Sequence, residues 1–267
     1  MTRRRLLVAL LVLAAAVVTV NLTVARLPPM PPPDGKFLTL GGLDIHYIEQ
    51  PGTGIPVLML PGLPGTLHDF DPVIAKLSGA HVLSLDRPGF GWSRGGWVSF
   101  QRQVEIVHDF LTQLHTGPAI VVGHSFGGTL ALALARRYPA DVAQLVLIAP
   151  AAGGMRSFTK DTLQARYLLF SHLPVIKSIV GLTFGNIALQ ISAHFGVRHA
   201  FEPGSVPSEY TKRLLAVTLS PGNTDSFARD QLEYNSTMQW LDDNVPAIRV
   251  PVVAIAARGD ELVPFEH

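Results

Sequence analysis

Apolar positions change their rhythm three times along the chain, and each change marks a boundary. After Arg3-Arg4-Arg5, residues 6–20 form an unbroken run of apolar or small side chains with Thr19 the only hydroxyl, thinning through Asn21-Leu22-Thr23-Val24-Ala25. No polar face marks this stretch as an ordinary helix of a soluble body. As a helix, residues 6–25 span about 30 Å at ~1.5 Å per residue, the thickness of one hydrocarbon core. The pattern predicts a signal anchor over residues 1–26, with its arginine-flanked N-terminus inside. A cleaved signal peptide is the rival, although Thr23-Val24-Ala25 is a mediocre cleavage site. Both readings place the rest of the chain on the non-cytoplasmic side, tethered to the membrane through residues 6–25 or secreted. Residues 27–34 carry five prolines in six positions, which bars helix and sheet and favours a semi-rigid linker.

The second rhythm, over residues 35–149, alternates short apolar runs with helical spacing. Residues 37–40 and 43–49 read as two strands joined at Gly41-Gly42. Val57-Leu58-Met59-Leu60, residues 81–85, residues 119–122 and residues 145–149 are continuous or near-continuous apolar runs, each closed by Gly, Pro or both, as parallel strands buried on both faces require. Between them, Ser99 is placed to cap a helix with Val104, Val107, Leu111 and Leu114 on one face, and residues 126–138 read as a second helix stopped by Pro139. The third rhythm, residues 150–249, has no strand pattern. Helix-like stretches at 159–171, 174–195, 208–219 and 224–241 are split by prolines, so the segment reads as a helical cap inserted between strands 6 and 7. Residues 252–257 then supply one more strand. The expected class is α/β, a mostly parallel sheet with its core in residues 35–149 and 250–267.

Composition narrows this picture. Hydrophobic residues at 48% and charged ones at 15% exclude disorder as the main state. The chain has 21 Lys and Arg against 20 Asp and Glu, and setting aside Arg3, Arg4 and Arg5 leaves 18 against 20, so no basic face remains for nucleic acid. With no cysteine there is no disulfide, thiolate zinc site or cysteine nucleophile, though this names no compartment.

The candidate chemistry sits at Gly123-His124-Ser125-Phe126-Gly127-Gly128, between a buried strand and a helix. That setting gives a G-x-S-x-G match its meaning: a sharp strand-to-helix turn lifts the serine hydroxyl above the sheet, and the helix N-terminus favours an oxyanion. An ordinary Gly-rich turn is the bland alternative. A dinucleotide fingerprint fails because position 125 is Ser, and no phosphate-loop lysine follows.

On four pieces in register the chain resembles the alpha/beta-hydrolase superfamily. They are Leu60-Pro61-Gly62-Leu63-Pro64-Gly65-Thr66, Leu85-Asp86-Arg87-Pro88-Gly89-Phe90-Gly91-Trp92-Ser93, the serine turn itself, and Ala257-Arg258-Gly259-Asp260-Glu261-Leu262-Val263-Pro264. The resemblance implies a serine hydrolase without cofactor or metal. Ser125 is then the nucleophile, the backbone N–H groups of Leu63 and Phe126 form the oxyanion hole, and Asp260 orients the catalytic histidine. A turn-capping role is the alternative for Asp260. Trp92 and His68 are candidates for the rim of a substrate pocket, and Phe126, Phe170 and Phe184 for its apolar lining.

Two features depart from the family. The loop opens with Pro61-Gly62 where many relatives have His-Gly. The catalytic histidine, which relatives supply one strand beyond the acid, is not identified in this chain, whose last residue is His267. His124 reads as packed, His172, His194 and His199 as cap residues, and His267 as a remote candidate. The expectation is therefore a form truncated after strand 7, with little activity. The leading function is hydrolysis of a carboxylic ester, a small lipophilic molecule, through an acyl-enzyme. Epoxide hydrolase-like, peptidase, perhydrolase and C–C hydrolase chemistries stay open, as does a non-catalytic binding protein of hydrolase fold.

Overall fold

The computed structural model describes residues 3–23, 29–152, 175, 183, 186–202, 204–260 and 263. The expected helix at 159–171, the first part of 174–195, and Phe170, His172, Phe184 and His267 lie outside the described residues. In chain order the elements are α1 (Arg3–Thr23), β1 (Lys36–Leu40), β2 (Leu43–Gln50), β3 (Thr53–Leu60), the short α2 (Asp71–Ile74), β4 (Ala80–Leu85), α3 (Phe100–Gln113), β5 (Ala119–His124), α4 (Phe126–Arg137), β6 (Val142–Ile148), α5 (Asn186–Phe201), α6 (Ser208–Thr218), α7 (Pro221–Asn244) and β7 (Val252–Ile255).

The strands form one seven-stranded sheet in the order β1-β2-β4-β3-β5-β6-β7. The opening hairpin pairs antiparallel, as does β2 with β4, and the remaining neighbours run parallel. Alternation along each strand explains why the apolar runs are unbroken. Leu58, Leu60, Leu83, Leu85, Val121, Leu145 and Leu147 enter the main core with α3, α4 and α7. Their neighbours Met59, Val82, Val122, Val146 and Ile148 belong to a smaller cluster with Phe70. The edge strand β7 departs from this burial: Val252, Val253 and Ile255 are 48%, 44% and 53% exposed.

Two elements differ from the sequence expectation. Ser99 occupies the N-cap position of α3 but its side chain makes no capping bond. The first N–H of that helix, on Phe100, donates instead to Glu233 Oε2 at 2.9 Å, a carboxylate brought from α7. The second difference concerns the cap. The chain divides into a unit of Met1–Pro31 with Lys160–Ser220 and a unit of Pro32–Thr159 with Pro221–His267. The expected cap, residues 150–249, therefore loses α7 to the unit that holds the sheet. The reason is packing: Tyr234, Met238 and Leu241 of α7 are buried in the main core. Within the other unit, α1 touches α5 and α5 touches α6.

Candidate active site

The turn between β5 and α4 is held from three directions. Ser125 has φ 51° and ψ −121°, a left-handed backbone that a side chain rarely tolerates. Its N–H donates to the Ile148 carbonyl at the end of β6, 3.0 Å away, and its carbonyl accepts from Gly128 and Ala151 at 2.9 and 3.1 Å. Glycine is required on either side by close approach. A Cβ on Gly123 would lie 2.5 Å from the Gly127 carbonyl oxygen, and one on Gly127 would lie 2.0 Å from that of Leu60. The half-buried Ser125 thus stands at the N-cap of α4, next to the first-turn backbone N–H groups that have no partner within the helix.

The loop after β3 lies against this turn. A Cβ on Gly62 would sit 3.0 Å from Ser125 Cβ and 3.2 Å from His124 Nδ1. Leu63 follows, half-buried and packed on the main core, and Phe126 is 2% exposed. The structure therefore brings together Ser125, Phe126 and the loop that carries Leu63.

Asp260 is half-buried in the turn after β7. Its Oδ1 accepts the Val263 N–H at 2.8 Å, a turn-closing bond, and its charge also reaches His124. Burial pushes the His124 imidazole below its usual pKa, with the Asp260 charge opposing, so this histidine is held neutral beside the serine.

Trp92 and His68 meet each other, their rings 5.7 Å apart, in a cluster centred on Asp86. His68 spends Nδ1 on Asp71 and Nε2 on Asp34, both at 3.0 Å at their nearest. His46, fully buried, sets Nδ1 on Asp86 Oδ2 at 2.7 Å and Nε2 on the Asp34 carbonyl. Both acceptors demand a proton, so the ring is best satisfied as an imidazolium. Burial works against that charge, but the hydrogen bond and charge of Asp86, with the Asp34 carbonyl, raise its pKa overall. Asp86 also accepts the N–H groups of Leu67 and Trp92 at 2.9 Å, which ties the loop after β3 to the turn after β4. The other cap histidines in view bond locally, His194 to the Gln190 carbonyl and His199 to Glu202. Among the described residues no set of three or more His, Asp and Glu converges as a metal site.

Sequence reasoning treated Asp86-Arg87-Pro88-Gly89 as a turn and missed what it holds. Arg87, entirely buried, donates to Asp230 at 2.8 Å and to Gln103 at 2.9 Å. A charged pair directly after a mostly apolar strand was a legible signal for Asp86 and Arg87. Nothing in the sequence pairs Arg87 with Asp230, 143 residues later.

The comparisons with known proteins agree with this architecture. The family model for the alpha/beta hydrolase fold matches residues 55–267. A 2-hydroxymuconate semialdehyde hydrolase of Pseudomonas sp. (strain CF600) is 34% identical over 252 residues, covering 90% of this chain and 82% of that protein. Among solved structures, the enol-lactonase from Burkholderia xenovorans LB400 superposes with a TM-score of 0.63 at 18% identity, over 82% of this chain and 80% of its own. A membrane phospholipase A superposes at 0.62 and 20% identity, over 99% and 85%. At such identities the structures speak for the fold alone. The extent of the family match, the relative at 34% identity and the strand–serine–helix turn lead to one conclusion: the chain belongs to the alpha/beta hydrolase fold family and is a hydrolase.

Proposed function

We propose that the protein is a serine hydrolase that cleaves a lipophilic carboxylic ester through an acyl-enzyme on Ser125. The observation that carries this reading is Ser125 at φ 51°, raised between β5 and α4 with the Gly62–Leu63 loop against it. The Ser125 hydroxyl attacks the ester carbonyl as its proton passes to a histidine base, which the described residues do not identify and which Asp260 would orient. The carbonyl oxygen becomes an oxyanion facing the N–H groups of Leu63 and Phe126, where the N-terminus of α4 adds favourable dipole. Collapse of that intermediate expels the alcohol, which leaves with the proton returned by the base. Water then repeats the sequence on the acyl-enzyme and releases the acid. A short p-nitrophenyl ester tests this. Ser125→Ala is expected to lose at least ~10³-fold in rate, as removal of a triad member does. Activity retained in that variant overturns the assignment.

A second reading has its own support, because the relative at 34% identity is named for hydrolysis of 2-hydroxymuconate semialdehyde. The same serine turn would then cleave a carbon–carbon bond beside a carbonyl group. A kcat/KM for that oxo acid well above that for p-nitrophenyl esters would select this chemistry.

The anchor belongs to the same proposal. The 21 residues of α1 have a mean hydropathy of 2.6 over their best window, only 6% of it buried. With Arg3, Arg4 and Arg5 before it favouring an N-terminus inside, this supports a body held at a membrane on the non-cytoplasmic side, within reach of amphiphilic esters.

A further inference from the structure

A buried cation lies directly behind the proposed oxyanion hole. The Arg87 guanidinium stacks over the Phe126 ring with Cζ 4.8 Å from its centroid, and over Phe90 at 4.1 Å. Its Nη2 approaches the Gly62 carbonyl oxygen at 3.5 Å. Phe126 and Leu63, the residue after Gly62, carry the two N–H groups assigned to the hole. One side chain therefore touches both halves from behind, and its own position is fixed from a third element. Asp230 of α7 takes Arg87 Nη1 at 2.8 Å on one oxygen. Its other oxygen accepts Trp97 Nε1 at 2.8 Å and Gln103 Nε2 at 3.0 Å. Gln103 in turn accepts from Arg87, which closes the ring of bonds.

Stability alone is a weak reason for this arrangement, because a buried ion pair is commonly replaceable by apolar side chains at no loss. What an apolar side chain or a lysine does not reproduce is a planar group that stacks on one wall while directing N–H groups at the other. We propose that Arg87, locked by Asp230, is a positioning residue that sets the spacing between the Gly62–Leu63 loop and Phe126, and so the geometry of the oxyanion hole. This rests on the assignment of Ser125, Leu63 and Phe126 made above. A hole of the wrong width binds the ester nearly as well but stabilises the transition state less, so the signature is a loss in kcat with KM little changed.

The test uses the whole protein, a p-nitrophenyl ester and a fluorophosphonate that labels Ser125. Arg87→Met combined with Asp230→Asn removes both charges together while keeping an acceptor for Trp97 and Gln103. Arg87→Lys keeps the charge and loses the planar fork. Trp97→Phe, at a half-buried position, loosens Asp230 without touching the hole. In the first two variants kcat is expected to fall about 10- to 100-fold, KM to stay within about 3-fold, and phosphonate labelling to slow in parallel. Arg87→Lys should recover the melting temperature more than it recovers kcat. Trp97→Phe should give a smaller kcat loss of the same kind, which keeps the proposal testable if Arg87 variants do not fold. Folded variants with kcat within about 2-fold of the parent, or losses that only track the unfolded fraction, overturn it. Ester turnover and labelling that survive Ser125→Ala would instead remove the nucleophile assignment and leave the role of Arg87 in the fold untouched.

Discussion

At the scale of single residues, the site is built where the backbone is least comfortable. A left-handed non-glycine residue costs about 1–3 kcal/mol, held in place by the bonds from Ser125 to Ile148, Gly128 and Ala151. Ser125→Gly is therefore expected to raise the melting temperature while abolishing ester hydrolysis, a split that calorimetry and turnover read together. The neighbouring glycines behave oppositely. Gly127→Ala drives a methyl to 2.0 Å from a backbone oxygen, and a loss of about 1–3 kcal/mol is expected. Gly222→Ala, with open space around it at the start of α7, should be neutral or stabilising by about 0.5 kcal/mol in the same melting experiment. His46 gives a pH signature. Its pKa is raised on folding, so the folded state binds more protons than the unfolded one above the ordinary histidine range. Its contribution is complete below about pH 6.5 and fades as pH rises through the raised value. His46→Asn should thus lower the melting temperature most near pH 6 and less near pH 9. A deficit that grows with pH would contradict the pairing with Asp86.

At the scale of elements, helix ends and helix faces were read unequally well. The apolar stripe of α3 appears as expected, with Val104, Val107 and Leu111 buried and Leu114 packed at its end. Its cap does not: the Ser99 side chain makes no capping bond, and Glu233 from α7 takes the first N–H of the helix, on Phe100. The bond joins a carboxylate to the positive end of a helix, a favourable arrangement. Glu233→Gln is expected to cost about 1 kcal/mol, and Ser99→Ala only a few tenths, measured by denaturant midpoints at unchanged slope. Equal effects would return the capping role to Ser99. The same α7 supplies Asp230 to Arg87 and Asn223 Oδ1 to the Gly91 N–H at 2.7 Å, so a helix expected in the cap serves the unit that holds the sheet.

At the scale of the whole molecule, the chain joins an apolar N-terminal helix to a hydrolase body. Leu11, Val12 and Leu13 of α1 are 62%, 64% and 61% exposed, which in water is unfavourable and in lipid is not. The protein is expected to stay in the pellet after alkaline carbonate extraction. A soluble mature form beginning near Arg26 would identify the segment as a cleaved signal. Replacing α1 by a cleavable signal should release a body that retains turnover of soluble p-nitrophenyl esters.

Local order was legible because its causes are local. The strand runs, the glycines around Ser125 and the apolar helix each follow from side-chain period, backbone sterics or transfer free energy within a few residues. That let the pattern mark all seven strands and the serine turn. Partners distant in sequence were not legible, because charge and hydrogen-bonding capacity do not name who satisfies them. Asp230 pairs with Arg87, Glu233 caps α3, and the two ring nitrogens of His68 go to Asp34 and Asp71 only once the sheet brings those groups within bonding distance. The division of the cap has the same origin. Helical spacing announced α7, but only the shape of the core surface decided that Tyr234, Met238 and Leu241 would be buried with the sheet.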